Sequence, residues 1–229
     1  MNAITASHWP YPRWIAHRGA GKLAPENTLA AFRLGAQHGY RMFECDAKLS
    51  ADGVPFLLHD ATLERTTNGR GTGGDLPLGA LAQLDAGSWH SRAYAGEAVP
   101  TLEALARFCI ANGYFLNIEI KPTPGQEETT GRVVGETAAR LWQGQAVPPL
   151  FSSFKPDALA GAQATAAHIP RALLLDTLWD GCLDTARRLG CVAIVCNHAL
   201  WDAALVAQVK GMGMRTLSYT VNDDWAAQR

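Results

Sequence analysis

No stretch of this sequence approaches the ~18 consecutive apolar residues of a membrane-spanning helix, and the opening MNAITASHWPYPRW holds no continuous apolar core of the signal-peptide kind. A soluble, cytoplasmic chain without a membrane anchor is the expectation. An excess of one charge is missing too. The 20 Lys and Arg stand against 21 Asp and Glu, a net charge of -1, which argues against a nucleic-acid-coating protein. The five cysteines, Cys45, Cys109, Cys182, Cys191 and Cys196, are odd in number and form no CxxC pair. That pattern suits reduced thiols better than a disulfide frame or a zinc ribbon. There is no GxSxG, and no GxGxxG follows a strand, so serine-hydrolase and dinucleotide readings have no support. The run GRGTGG lacks both the GK[ST] ending and the preceding strand of a nucleotide-phosphate loop.

What is present, 48% hydrophobic and 18% charged residues over 229 positions, is enough for one domain with a substantial core. Short apolar segments alternate with amphipathic ones. Strands are expected at WIAHR (14–18), YRMFECDAKL (40–49), FLNIEIK (115–121), LFSSF (150–154), RALLLD (171–176), CVAIVC (191–196) and RTLSYTV (215–221). Helical patterns cover 28–38, 101–112, 131–142, 156–167, 180–189 and 201–211. This βα rhythm predicts a parallel sheet, and seven repeats predict a TIM (β/α)8-type barrel whose eighth repeat is missing from the sequence, ahead of an open doubly wound sheet. A barrel lacking its last strand has bare edges, so a further helix-strand unit beyond residue 229 is an expectation. One connection is too long. About forty residues separate VPFLLHD from the next long helix, where a βα loop takes about 2–6. An inserted subdomain at about 60–99, after the second strand, is therefore expected within a single domain spanning 1–229.

In FECDAK, Glu44 and Asp46 lie two apart on a strand and so share a face, while Cys45 turns away as a core-filling side chain. Glu119 and Lys121 repeat the arrangement in NIEIKP. In a barrel the C-terminal strand ends build the active site, so these acids can converge from different strands. Three carboxylates suit a hard divalent cation, Mg2+, Ca2+ or Mn2+, rather than zinc. A structural salt-bridge network at the barrel mouth fits the same pattern. His17 closes the first strand and His59 the segment after Glu44 and Asp46, and imidazoles so placed are candidates for a general acid and base. Arg18 can hold a phosphate oxygen or a loop carbonyl, Asp60 can cap a turn, and Asn27 or Thr28 can cap the helix that follows, with substrate contact the other reading of Asn27.

The segments IAHRG, PENT, FECDAKLSADGVPFLLHD, RTTNGRG, PTLEAL, NIEIK, SSF and YTVN, in this order, resemble the glycerophosphodiester phosphodiesterase family, in particular its compact bacterial cytoplasmic branch. The resemblance spans about Ile15 to Asn222. It implies a TIM barrel that uses a divalent cation to hydrolyse glycerophosphocholine, glycerophosphoethanolamine and similar small diesters to glycerol 3-phosphate and an alcohol. By the same resemblance His17 and His59 are the acid/base pair, Glu44, Asp46 and Glu119 hold the metal, and Arg18 and Lys121 contact the phosphate. The family's usual Trp before TVN is Tyr219 here. A related lyase, of the phospholipase D type, and a non-catalytic phosphodiester-binding barrel are the rival readings. The insert argues against the first and the complete histidine and acid set against the second.

Overall fold

A computed structural model describes residues 4, 5 and 8–228. Its centre is one seven-stranded sheet in the order β2-β1-β3-β4-β5-β6-β7. The strands are β1 (Met42–Leu49), β2 (Pro55–Leu57), β3 (Phe115–Ile120), β4 (Leu150–Ser153), β5 (Arg171–Leu175), β6 (Ala193–Asn197) and β7 (Arg215–Tyr219). All neighbours are parallel except β2, which folds back antiparallel on β1 with Ala47 opposite Leu57. Helices fill the crossovers: α1 (Leu29–Gln37), α2 (Leu78–Leu81), α3 (Leu102–Asn112), α4 (Glu127–Leu141), α5 (Pro156–Thr165), α6 (Cys182–Arg188), α7 (Ala203–Gly211) and α8 (Asp224–Gln228). This is the α/β TIM-type architecture, with the sheet open between its first and last strands. No further strand follows β7 among the described residues, and none of their helices is long and apolar enough to cross a membrane.

The helix ends follow local chemistry. Thr28 and Thr101 cap α1 and α3 by accepting from the amides of Ala31 and Ala104, at 3.2 and 3.0 Å. Asp202 does the same for α7 at Leu205, 2.7 Å. Gly113 ends α3 at φ 65°, a left-handed conformation that costs glycine little. Helix α4 starts four residues before the expected 131, where Glu127 and Glu128 complement the positive end of the helix.

The expected first strand differs most. Residues 14–18 make a single parallel bridge, Ala16 to Phe43, in which the Ala16 amide donates to the Met42 carbonyl and the Ala16 carbonyl accepts from Glu44, both at 2.9 Å. Pro10 and Pro12 supply no amide donors before it, and Arg18 leaves the extended region at φ 51° just after it. The seven hydrogen-bonded strands therefore include the short β2, which lies within VPFLLHD and is not among the expected strands.

Strand alternation divides the core. Cys45, Ala47, Ile118, Ile120 and Phe151 point outward and pack beneath α1, α3, α4 and α5. Met42, Leu150, Leu174 and Val195 point inward with the smaller Ala172 and Ala193, and fill the barrel interior. Helices α4 and α5 meet through small residues. A Cβ added at Gly131 would collide with the Ala158 carbonyl, and one at Gly161 with the Glu128 carbonyl.

Residues 60–99 contain α2 and two 3-10 turns, at Gly73–Asp75 and Arg92–Tyr94. Leu58, Leu63, Leu81, Ala86 and Val99 gather there around Phe56 as a small cluster of their own. The Asp85 carboxylate organises the far turn, accepting from the amides of Gly87, Ser88 and Gly96 at 2.8, 2.8 and 3.0 Å. The segment touches the loop after Ala16, where a His90 ring nitrogen lies 3.0 Å from the Lys22 carbonyl.

Candidate active site

The pairing of β1 with β3 places Glu44 beside Asn117 and Asp46 beside Glu119, all on the inward face. Glu44, Asp46 and Glu119 each offer a carboxylate oxygen within 4.8 Å of the others. They are 7%, 0% and 8% exposed, so water cannot screen the repulsion among three negative charges. Burial first, and then the charges of Asp46 and Glu119, push the Glu44 carboxyl well above the usual carboxylate range. Burial and Asp46 push Glu119 up to about 7. Burial would raise Asp46 as well, but the Arg18 and Lys121 charges outweigh it and hold that carboxyl below its ordinary value.

The other expected site residues join this cluster. Arg18 donates its backbone amide to Glu44 Oε2 at 3.0 Å, and its Nε lies 3.2 Å from Asp46 Oδ2. Its Nη1 donates to Glu26 Oε1 at 2.8 Å, so carboxylates, not a loop carbonyl, hold this side chain. Lys121 Nζ donates to Glu119 Oε1 at 3.1 Å, lies 3.7 Å from Asp46 Oδ1, and sits 2.7 Å from His59 Nε2. His59 Nδ1 lies 2.6 Å from Asp60 Oδ1. An ionised Asp60 can only accept, so this contact makes Nδ1 the protonated nitrogen and leaves Nε2 to accept from Lys121. His17 Nε2 lies 3.9 Å from Glu44 Oε2. Burial, followed by the Arg18 charge, pushes His17 down to about 4, and burial is also the largest cause of the lowered His59 value. Both imidazoles are therefore neutral near pH 7.

All seven expected residues thus form one connected set, delivered by β1, by β3 and the residue after it, by the turn after β2, and by the loop after the Ala16 bridge. The hairpin explains His59: β2 returns alongside β1 until the Leu58 amide donates to the Asp46 carbonyl at 3.1 Å, with His59 next in the chain. Asn27 and Asp60 have other roles than those expected. Thr28 is the cap of α1, whereas Asn27, at φ 60°, donates Nδ2 to Asp46 Oδ2 at 2.8 Å and accepts from the Asp46 amide at 3.1 Å. Asp60 is a partner of His59, not the cap of a turn. Glu26 was overlooked in the sequence, where its only signal was its place beside Asn27 in PENT.

The acids fit a cation on their own chemistry. Glu44 Oε1 and Asp46 Oδ1 are buried without a hydrogen-bond partner, and hard carboxylate oxygens in a group of three are what Mg2+, Ca2+ or Mn2+ takes. Arg18 and Lys121 bring two positive charges to these three acids, and Glu44 Oε1 and Asp46 Oδ1 are still left without a hydrogen bond. Opposite the acids, Phe154 and Tyr219 meet edge to face at 5.6 Å between ring centroids, with Lys121 Nζ 5.7 Å from the Phe154 centroid.

The glycerophosphoryl diester phosphodiesterase family profile matches residues 17–229, from His17 onward. The chain belongs to that family. Glycerophosphodiester phosphodiesterase family members among known proteins include one from Caldanaerobacter subterraneus subsp. tengcongensis, 40% identical over 126 residues. That match covers 53% of this chain and 52% of the relative, so it spans about half of that protein's length. A Bacillus subtilis glycerophosphodiester phosphodiesterase is 28% identical over 228 residues, covering 92% of this chain and 76% of that one. Among solved structures, an Oleispira antarctica phosphodiesterase in complex with the product sn-glycerol-3-phosphate superposes with a TM-score of 0.88 at 36% identity, covering 95% of this chain and 88% of that one.

Proposed function

We propose that this chain is a metal-dependent glycerophosphodiester phosphodiesterase, hydrolysing small diesters such as glycerophosphocholine and glycerophosphoethanolamine to glycerol 3-phosphate and an alcohol. The observation that carries the reading is the buried triad with its two orphaned oxygens, flanked on either side by a neutral imidazole.

Glu44, Asp46 and Glu119 would hold the divalent cation. When bound, the cation supplies Lewis acidity at the phosphate and offsets charge that grows as the phosphorus is attacked. Arg18 and Lys121 are held within reach of the same space by Glu26, Asp46 and Glu119, so their charges are positioned before substrate arrives. His59, with Nδ1–H directed to Asp60, carries its lone pair on Nε2, where it accepts from Lys121; once Lys121 turns to the phosphate, that lone pair is suited to take a proton from the attacking hydroxyl. Entry of an anionic phosphate beside His17 raises the proton affinity that burial had lowered, and equips His17 to protonate the leaving alcohol. The attacking group is water, or the neighbouring glycerol hydroxyl by way of a cyclic phosphate. Segment 60–99 lies against the loop that carries His17 and Arg18 and would limit the site to small head groups. The cytoplasmic assignment is supported by five cysteines that are all free and buried.

Phosphorus NMR of glycerophosphocholine turnover, with Mg2+ and with excess EDTA, tests the reading. Glycerol 3-phosphate is expected with Mg2+ and no turnover with EDTA. Accumulation of cyclic phosphate as the final product would identify a lyase, and full turnover in EDTA would rule out the cation.

A further inference from the structure

Arg65 comes from the insert and lies outside the set that would touch substrate, yet its guanidinium makes four hydrogen bonds to two carboxylates. Nε donates to Asp60 Oδ2 at 2.6 Å and Nη2 to Asp60 Oδ1 at 3.1 Å. On the other side Nη1 donates to Glu26 Oε2 and Nη2 to Glu26 Oε1, both at 2.8 Å. Each carboxylate has a second task. Asp60 accepts from His59, and Glu26 accepts from Arg18. The two halves of the site arrive from separate places in the chain, Arg18 from the loop before α1 and His59 from the hairpin strand β2. Among the described residues, Arg65 is the side chain that grips both carboxylates which orient them.

We propose that Arg65 is the positioning residue of this site: by clasping Asp60 and Glu26 it fixes the tautomer of His59 and the placement of Arg18. Only a guanidinium suits the task. Its planar fork can engage two carboxylates in bidentate fashion, whereas an ammonium is a point charge that satisfies one at a time. Asp60 is ionised near pH 7 with or without the clasp; what Arg65 supplies is orientation, holding both Asp60 oxygens so that Oδ1 stays against His59 Nδ1. An ionised Asp60 obliges His59 to carry its proton on Nδ1, which leaves Nε2 facing the site. Without the clasp, Asp60 and Glu26 are partly exposed carboxylates free to turn to solvent, and both His59 and Arg18 lose their orienting partner. The consequence for catalysis rests on the phosphodiesterase reading; the consequence for His59 does not.

Two measurements on the full chain separate these. Long-range 1H–15N correlation of the histidine rings, with His59 assigned by its loss in His59→Gln, reads the tautomer without substrate. Wild type is expected to show His59 protonated at Nδ1 only, and Arg65→Met to show an averaged or Nε2-protonated ring. Glycerophosphocholine kinetics read the catalytic consequence. In Arg65→Met, kcat is expected to fall on the order of 10–100-fold, as for other residues that orient a group in contact with metal or substrate, with a much smaller change in KM, and with the Mg2+-induced rise in melting temperature kept. Arg65→Lys should recover part of the loss. An unchanged tautomer together with unchanged kcat in Arg65→Met overturns the proposal, as does full recovery by lysine. If wild type turns over no diester but the tautomer still changes, the positioning role stands and the phosphodiesterase reading fails. If Arg65→Met unfolds, Arg65→Lys carries both measurements, with a partial tautomer change and reduced kcat supporting the role and wild-type behaviour overturning it.

Discussion

Neutralising Glu119 should stabilise the metal-free protein and abolish its response to Mg2+, two effects of opposite sign from one substitution. Burial beside Asp46 raises the Glu119 pKa from 4.5 to about 7. A carboxyl whose folded-state value is raised costs nothing below about pH 4.5, where it is protonated in both folded and unfolded states. The cost grows as pH climbs and is complete above about 7. At roughly 1.4 kcal/mol per pKa unit, the full penalty is about 3 kcal/mol at pH 8 and about 1 kcal/mol at pH 5. Glu119→Gln keeps the shape and removes the charge. In EDTA at pH 8 the variant should melt several degrees above wild type, since about 1 kcal/mol shifts a domain of this size by roughly 2–4 °C. At pH 5 the gap should shrink to roughly 2–4 °C. Saturating Mg2+ should then raise wild type well above its metal-free value and leave the variant almost unmoved. A variant that melts below wild type in EDTA at pH 8 would refute the argument that the triad is held in strain for a cation.

Loss of either imidazole should cost about 10²-fold or more in kcat with the fold intact; near-wild-type turnover by folded His17→Ala or His59→Ala would remove that residue from the acid-base assignment. Asn27→Gly keeps the left-handed backbone but deletes both contacts to Asp46, so Mg2+ affinity measured by calorimetry should drop on the order of 10–100-fold. Gly131→Ala should destabilise the fold by about 1–3 kcal/mol in urea melts, because the new methyl meets the Ala158 carbonyl. Gly79→Ala, where nothing lies within 4 Å of an added Cβ, is the control and should be neutral or slightly stabilising.

Much of the site was readable because its residues obey short-range rules. Glu44 and Asp46 share a face because strands alternate, and the same rule sends Cys45 to the opposite side. Position at a strand end marked His17 and His59. What escaped depends on contacts across long stretches of chain. Asn27 looked like a cap since its neighbour Thr28 is one, and only the fold shows it turned onto Asp46 nineteen positions later. Arg65 reaches Glu26 over 39 positions, and no periodicity encodes that. The first strand was overcounted for a different reason: WIAHR has strand composition, but a φ of 51° at Arg18 ends the extended run, and backbone strain near a site is invisible to patterning.

Every residue of the site lies between His17 and Lys121, while β4 to β7 contribute apolar filling and an aromatic wall. A ribosome makes the chain in that order. The acids and histidines therefore emerge first and remain hydrated until the second half arrives to enclose them. During that interval the carboxylates titrate as ordinary surface acids, repulsion among them is screened, and a cation gains little by binding. Burial of the three acids is complete only when the later strands are in place, so the site matures last although it is synthesised first.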